Sequence, residues 1–200
     1  MLQELAAIDA QCCVDHERDS LKLSDWRMLS QARQINLLRV WINQHGVRSL
    51  SEARLLDLHA SLLRSTSARL QLAWDDVVLR CYRGQIFVLP QWPTHLSWQI
   101  NNDTISAQNW AMLKLSGWHP SHTITIQPLP EKIAEVSKTR KAFQQWLGVP
   151  EWLRSQIPAL YLDGQLSFYG TLWRSKKLSA SIQLISDGTL PTIWRRCCGA

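Results

Sequence analysis

The apolar positions of this chain change period along its length, and the changes divide it. Between Trp26 and His45, residues Leu29, Ala32, Ile35, Leu38 and Ile42 form a stripe at helical spacing, which Leu37 and Trp41 widen. Gly46 is placed to end that helix. Ser51, alone or with Ser49, opens a second helix in which Leu55, Leu58 and Leu62 share a face. The short connection makes the two helices antiparallel neighbours. From Leu70 to Leu89 alternation takes over. Leu72, Trp74, Val77, Leu79 and Phe87 predict two short strands around a Tyr82-Arg83-Gly84-Gln85 turn. Ahead of these, Met1 to Ala10 reads as a helix with no capping residue in front of it, as expected of a segment that continues something upstream. Cys13 to Ser20 reads as a loop.

The Pro90-Gln91-Trp92-Pro93 run breaks any continuing element and marks a boundary. Beyond it, His95 to Ser106 and His122 to Gln127 have strand character, while Gln108 to Trp118 fits either period. Ser137 can cap a basic helix in which Phe143 and Leu147 repeat at i, i+4. Gly148 stops it, and Pro150 opens a short turn carrying Trp152, Leu153 and Arg154. Ile157 to Leu162 is then a buried strand, with Asp163-Gly164 as a hairpin turn. Leu166 to Trp173 completes the hairpin, Ser179 to Ile185 is one further strand, and Trp194-Arg195-Arg196 reads as a basic, aromatic tail. The expected class is α+β: a linker helix over 1–20, a small helical domain with a β-hairpin over 21–93, and a mixed α/β domain over 94–200.

Charge sharpens this division. Residues 1–131 hold 12 Lys and Arg against 12 Asp and Glu, whereas residues 132–200 hold 10 against 4, so the net +6 lies in the last third. Such a segment suits a polyanion partner, with an ordinary solvated surface as the plain alternative. No apolar run approaches the about 20 residues needed to cross a bilayer, and no signal peptide is evident, so a cytoplasmic location is expected. The five cysteines include two vicinal pairs but no CxxC, which favours buried or incidental thiols over a metal site. Of the six histidines only His119 and His122 are close. No metal site is expected.

Two stretches resemble the tRNA(Ile)-lysidine synthase family. Arg33, Leu37, Leu38, Arg39, Trp41 and Gly46 match a family helix, and Leu79, Arg80, Tyr82 and Ile86 match its strand pair, with Cys81 in place of an Arg. Lys141, Gln145, Val149, Pro150, Trp152, Leu153, Arg154, Pro158, Leu160 and Tyr161 match the C-terminal pattern, from which Ala142, Trp146 and Glu151 depart.

The resemblance implies a substrate-recognition domain followed by a tRNA-binding domain. The full enzyme would use ATP and Mg in an N-terminal catalytic domain, act on tRNA(Ile), and be a homodimer. The Ser-Gly-Gly-x-Asp-Ser loop that would wrap a pyrophosphate is not in this sequence, nor is GxxxxGK[ST]. These residues alone are therefore expected to bind tRNA without catalysis and without a cofactor of their own. The candidate tRNA contacts are Arg33, Arg39, Arg80 and Arg83 in the first domain and Lys138, Arg140, Lys141, Arg154 and Arg174 in the second. Lys176 and Lys177 could extend that track. Arg39 could equally pair with Asp57 or Glu52, and the first C-terminal cluster could simply solvate a helix. Eleven tryptophans invite a base-stacking role, but most lie in patterned core segments. A stand-alone RNA-binding module and a basic protein-interaction module are the rival readings.

Overall fold

Gln34, one of the few polar residues among the apolar stripe, decides how the first helical stretch is cut. In the computed structural model its side-chain amide donates to the carbonyls of Arg27 (3.2 Å) and Leu29 (2.9 Å). The indole N–H of Trp26 donates to the Gln34 carbonyl at 3.1 Å. The expected single helix is therefore two, because Gln34 satisfies the carbonyls where the first one stops. The structure describes residues 2–47, 50–64, 70–74, 77–93 and 96–198; the readings made at Met1, Ser49 and His95 lie outside them.

The chain forms two compact units, Met1–Gln91 and Trp92–Ala200. In the first, α1 (Leu2–Cys13) leads into β1 (Val14–Asp15) and β2 (Ser20–Lys22), where a loop was expected. Then come α2 (Leu23–Arg27), α3 (Gln31–Gln44) and α4 (Glu52–Arg64). Gly46, at φ +77°, ends the helical stretch as its sequence position suggests. β3 (Gln71–Trp74), β4 (Val77–Tyr82) and β5 (Gln85–Pro90) complete an antiparallel sheet of order β1-β2-β5-β4-β3. Three strands stand where two were expected. The β4–β5 turn is the two residues Arg83 and Gly84, both at positive φ. Trp26, Leu37, Leu38, Ile42, Leu55, Leu58, Leu62, Leu79 and Ile86 are all but fully buried and pack into one core with Trp41.

The second unit holds β6 (Gln99–Asn101), β7 (Thr104–Ala107), β8 (Ala111–Ser116), β9 (Ile124–Gln127), the ribbon β10 (Lys132–Ile133) and β11 (Lys138–Thr139), and α5 (Arg140–Trp146). These are followed by β12 (Ala159–Leu162), β13 (Gln165–Tyr169), β14 (Trp173–Arg174), β15 (Gln183–Asp187) and α6 (Thr189–Cys198). Two four-stranded antiparallel sheets result, β14-β13-β12-β9 and β15-β8-β7-β6. The stretch with two possible periods is thus a strand, β8, with Ala111, Leu113 and Leu115 buried on one side. Gly117 has no alternative: a Cβ there would stand 1.9 Å from the Ser181 carbonyl oxygen. The expected tail is also corrected. Trp194 is fully buried within α6 beside Leu190, Ile193 and Cys197, so it packs the core and presents no face to a base.

Candidate nucleic-acid interface

The basic cluster of the second unit sits on the β10–β11 ribbon and α5. Ser137 lies in the left-handed region (φ +52°) at the ribbon's bend, so it cannot cap the helix. Thr139 does so instead, its hydroxyl accepting from the Ala142 N–H at 3.3 Å. The helix is only seven residues long. Its start therefore offers little to a phosphate, and the cations themselves must carry any anion binding. Lys138 lies 5.7 Å from the centroid of the Trp146 ring, which is 57% exposed. This pairs a cation with the aromatic residue that replaces the family's Glu. Arg140 pairs with Glu131 at 2.9 Å, on the surface. Lys141 is exposed, and among the described residues nothing engages its side chain.

The other face of α5 is held by aromatic packing and one polar relay. Phe143 is fully buried, with its ring centroid 5.8 Å from Tyr169 and 5.4 Å, edge-on, from Trp173. Gln144 donates to the Tyr169 hydroxyl at 3.0 Å, and that hydroxyl donates to the Arg154 carbonyl at 3.3 Å. Burial pushes the Tyr169 phenol up to about 12. Gly148 (φ +72°) ends the helix, and Val149, fully buried, donates back to the Gln144 carbonyl at 2.8 Å. A short 3-10 turn, Glu151–Leu153, then delivers Arg154.

Arg140 and Arg154 consequently line one cavity of about 520 Å³, together with Trp98, Gln144, Ser155 and Tyr169. Ile126, Pro128, Leu129, Ile157, Pro158 and Ala159 give it apolar walls. Arg154 has Glu151 as its nearest acid, 3.8 Å away.

Arg174 is used differently. Its guanidinium donates to the carbonyls of Ile182 (3.3 Å), Leu178 (3.1 Å) and Ser179 (2.5 Å), bracing the segment before β15. Beside it, Glu135 accepts from the Ser175 hydroxyl (2.7 Å) and the Lys176 backbone N–H (2.5 Å), leaving the Lys176 and Lys177 side chains at the surface. The close histidines make separate local bonds: His119 to the Ser121 hydroxyl (2.8 Å) and His122 to Asp163 (2.5 Å). The Asp163 carboxylate, held by the Thr123 N–H and by His122, sits below its usual range.

The four candidate arginines of the first unit each make contacts within it. Arg33 makes a two-bond ion pair with Asp9, whose side chain is fully buried, and so links α3 to α1. Arg39 pairs with Glu52 at 2.7 Å, linking α3 to α4 at the surface; of its two expected partners, this is the one it meets. Arg80 is partly buried on β4, and desolvation lowers its guanidinium below the usual range. Arg83, in the β4–β5 turn, lies 5.3 Å from the Tyr82 ring centroid.

Comparison with known proteins agrees with both halves of the sequence resemblance. Residues 21–87, the segment with these four arginines, match the family model described as the TilS substrate binding domain. Curated relatives extend the match. The chain is 27% identical over 192 residues, 86% of its length and 44% of the relative's, to a tRNA(Ile)-lysidine synthase of Aromatoleum aromaticum. It is 28% identical over 154 residues, 68% of its length and 35% of the relative's, to that of Photorhabdus laumondii. A shorter match, 36% over 73 residues, covers 34% of the chain and 23% of the Bordetella pertussis enzyme. This chain is similar to the tRNA(Ile)-lysidine synthases. It spans less than half the length of these relatives.

Trp98, Gln144 and Tyr169 join the cavity with no motif to single them out. For Gln144 the neighbouring Phe143 is a partial signal, since adjacent positions flank the buried side of a short helix. Trp98 comes from a different part of the chain, and only the fold brings it in.

Proposed function

We propose that this chain is the tRNA-recognising portion of a tRNA(Ile)-lysidine synthase. In such an enzyme ATP activates C2 of the wobble cytidine of tRNA(Ile) as an adenylate. The ε-amine of lysine then displaces AMP, and the lysidine produced changes codon reading from Met to Ile. The activating step needs a nucleotide loop that these 200 residues do not contain, so the chain's part is to hold the tRNA. The observation that carries this reading is the TilS substrate binding domain over residues 21–87, continued into the second unit by relatives that align over most of the chain.

Each unit would contribute different cations. In the second unit Lys138, Arg140 and Lys141 stand together on a ribbon and a short helix, where cations can follow a phosphate track. In the first unit Arg33 is committed to Asp9, which makes it a framework residue. Arg39, Arg80 and Arg83 are the remaining candidates there. An acidic protein partner would suit the same charge, but the relatives favour tRNA.

The test is binding of tRNA(Ile) by the 200-residue chain across a range of salt. Affinity should fall steeply as salt rises. Charge reversal at Lys138, Arg140 and Lys141 should weaken binding by about tenfold or more at low salt. Affinity unmoved by salt and by these changes would count against a nucleic-acid role.

A further inference from the structure

Arg154 and Trp98 both line the second unit's cavity, and each carries a buried donor that the fold leaves unmatched. Among the described residues, the Arg154 Nε and the Trp98 Nε1 have no hydrogen-bond partner. Buried N–H groups without acceptors are uncommon, and each costs stability. Both belong to residues that line one cavity, where an acceptor arriving from outside could meet them after a small side-chain movement. The remaining polar lining agrees. The Arg140 guanidinium, the terminal nitrogens of Arg154 and the Ser155 hydroxyl can all donate, and among the described residues no carboxylate lines the cavity. Glu131 and Glu151, which face the two arginines, are exposed side chains (82% and 79%), and pairs of that kind are weak enough for a phosphate to displace.

The apolar walls restrict the ligand further. A lone phosphate has no use for Ile126, Pro128, Leu129, Ile157 and Pro158, while a nucleobase does. Trp98 packs on the buried Trp194 with ring centroids 6.1 Å apart, which gives the indole a rigid backing. About 520 Å³ is the size of a small-ligand pocket and too small for a duplex. We infer that this cavity receives one unpaired nucleotide of an RNA, its phosphate at Arg140 and Arg154 and its base against Trp98 and the proline-lined wall. The two unmatched nitrogens are shielded from water, so a small side-chain rotation accompanies binding.

The inference rests on the RNA-binding role proposed above and can fail separately from it. The probes are an RNA hairpin with a short single-stranded tail, the same hairpin blunt-ended, and uridine 5′-monophosphate, each tested with the full chain. The tailed hairpin should bind about tenfold more tightly than the blunt one, the scale of one stacked and held base. Arg154→Gln should abolish that preference. Trp98→Phe, which keeps a ring but removes the N–H, should reduce it to about threefold. Thermal melting checks that the variants fold, and Trp98→Phe carries the test alone if Arg154→Gln does not. Equal binding of the two hairpins overturns the inference while leaving the phosphate track in place. Binding of uridine monophosphate with no preference for the tail also overturns it, since the site would then belong to a free nucleotide. Loss of binding to both hairpins with the wild-type chain would instead overturn the RNA role itself.

Discussion

The Tyr169 hydroxyl donates to the backbone carbonyl of Arg154 at 3.3 Å while accepting from Gln144. One phenol on β13 thus joins the buried face of α5 to the turn that carries a candidate ligand-binding arginine. Substituting Tyr169→Phe leaves the packing area nearly unchanged but strands an amide donor and a carbonyl. The expected cost is about 1–3 kcal/mol of stability, measured by urea unfolding. RNA affinity should fall as well, because Arg154 loses the contact that fixes its backbone.

The same phenol gives the protein an alkaline limit. Its pKa is raised from 10.0 to about 12, so the neutral form is favoured in the folded state. The associated stability is fully present below about pH 10 and is lost as pH rises toward 12, up to about 3 kcal/mol for this one group. Urea unfolding of wild type and Tyr169→Phe at successive alkaline pH values should show the two curves converging over that window.

Arg33 should behave as a framework residue rather than an RNA contact. Replacing it by Gln leaves the buried Asp9 carboxylate without its partner, and such half-pairs are strongly unfavourable. The melting temperature should fall clearly. Adding Asp9→Asn should recover much of the loss, which a double-mutant cycle would show as coupling. A variant that melted normally but bound RNA poorly would reverse this assignment.

Trp194 distinguishes a core helix from an aromatic tail. The side chain is fully buried, so Trp194→Ala should cost about 3–5 kcal/mol. An exposed stacking residue would lose RNA affinity at normal stability. Chemical denaturation and binding measured on the same variant separate the two outcomes.

The elements with a strong local pattern were legible in the sequence. The stripe of α3, the face of α4 and the Asp163-Gly164 turn, with both residues at positive φ, stand where periodicity and turn chemistry put them. The differences come from side chains acting on backbone. Gln34 ends α2 by bonding its carbonyls, which hydrophobic spacing cannot register. Thr139 rather than Ser137 caps α5 because Lys138 and Thr139 first pair with the strand at Lys132 and Ile133. In α6 the spacing of Leu190, Ile193, Trp194 and Cys197 was helical all along. Pro191 falls in its first turn, where a proline is tolerated.

The candidate site was legible in its charges and not in its shape. Lys138, Arg140, Lys141 and Arg154 stand out by residue type, but their roles depend on neighbours that only the fold supplies. Glu131 and Glu151 lie close enough in sequence to be suspected as partners. Asp9 lies 24 positions from Arg33, and no local rule connects them. Trp98 and Tyr169 reach the cavity from strands and loops far along the chain.

The Arg174 guanidinium donates to three carbonyls. Its field still reaches an approaching polyanion over about a Debye length, near 8–10 Å at ordinary salt. It has few donors left to hold a phosphate after contact. With the RNA-binding role proposed above, encounter and retention would draw on different cations: Arg174 would help set how often an RNA arrives, whereas Arg140 and Arg154 would help set how long it stays.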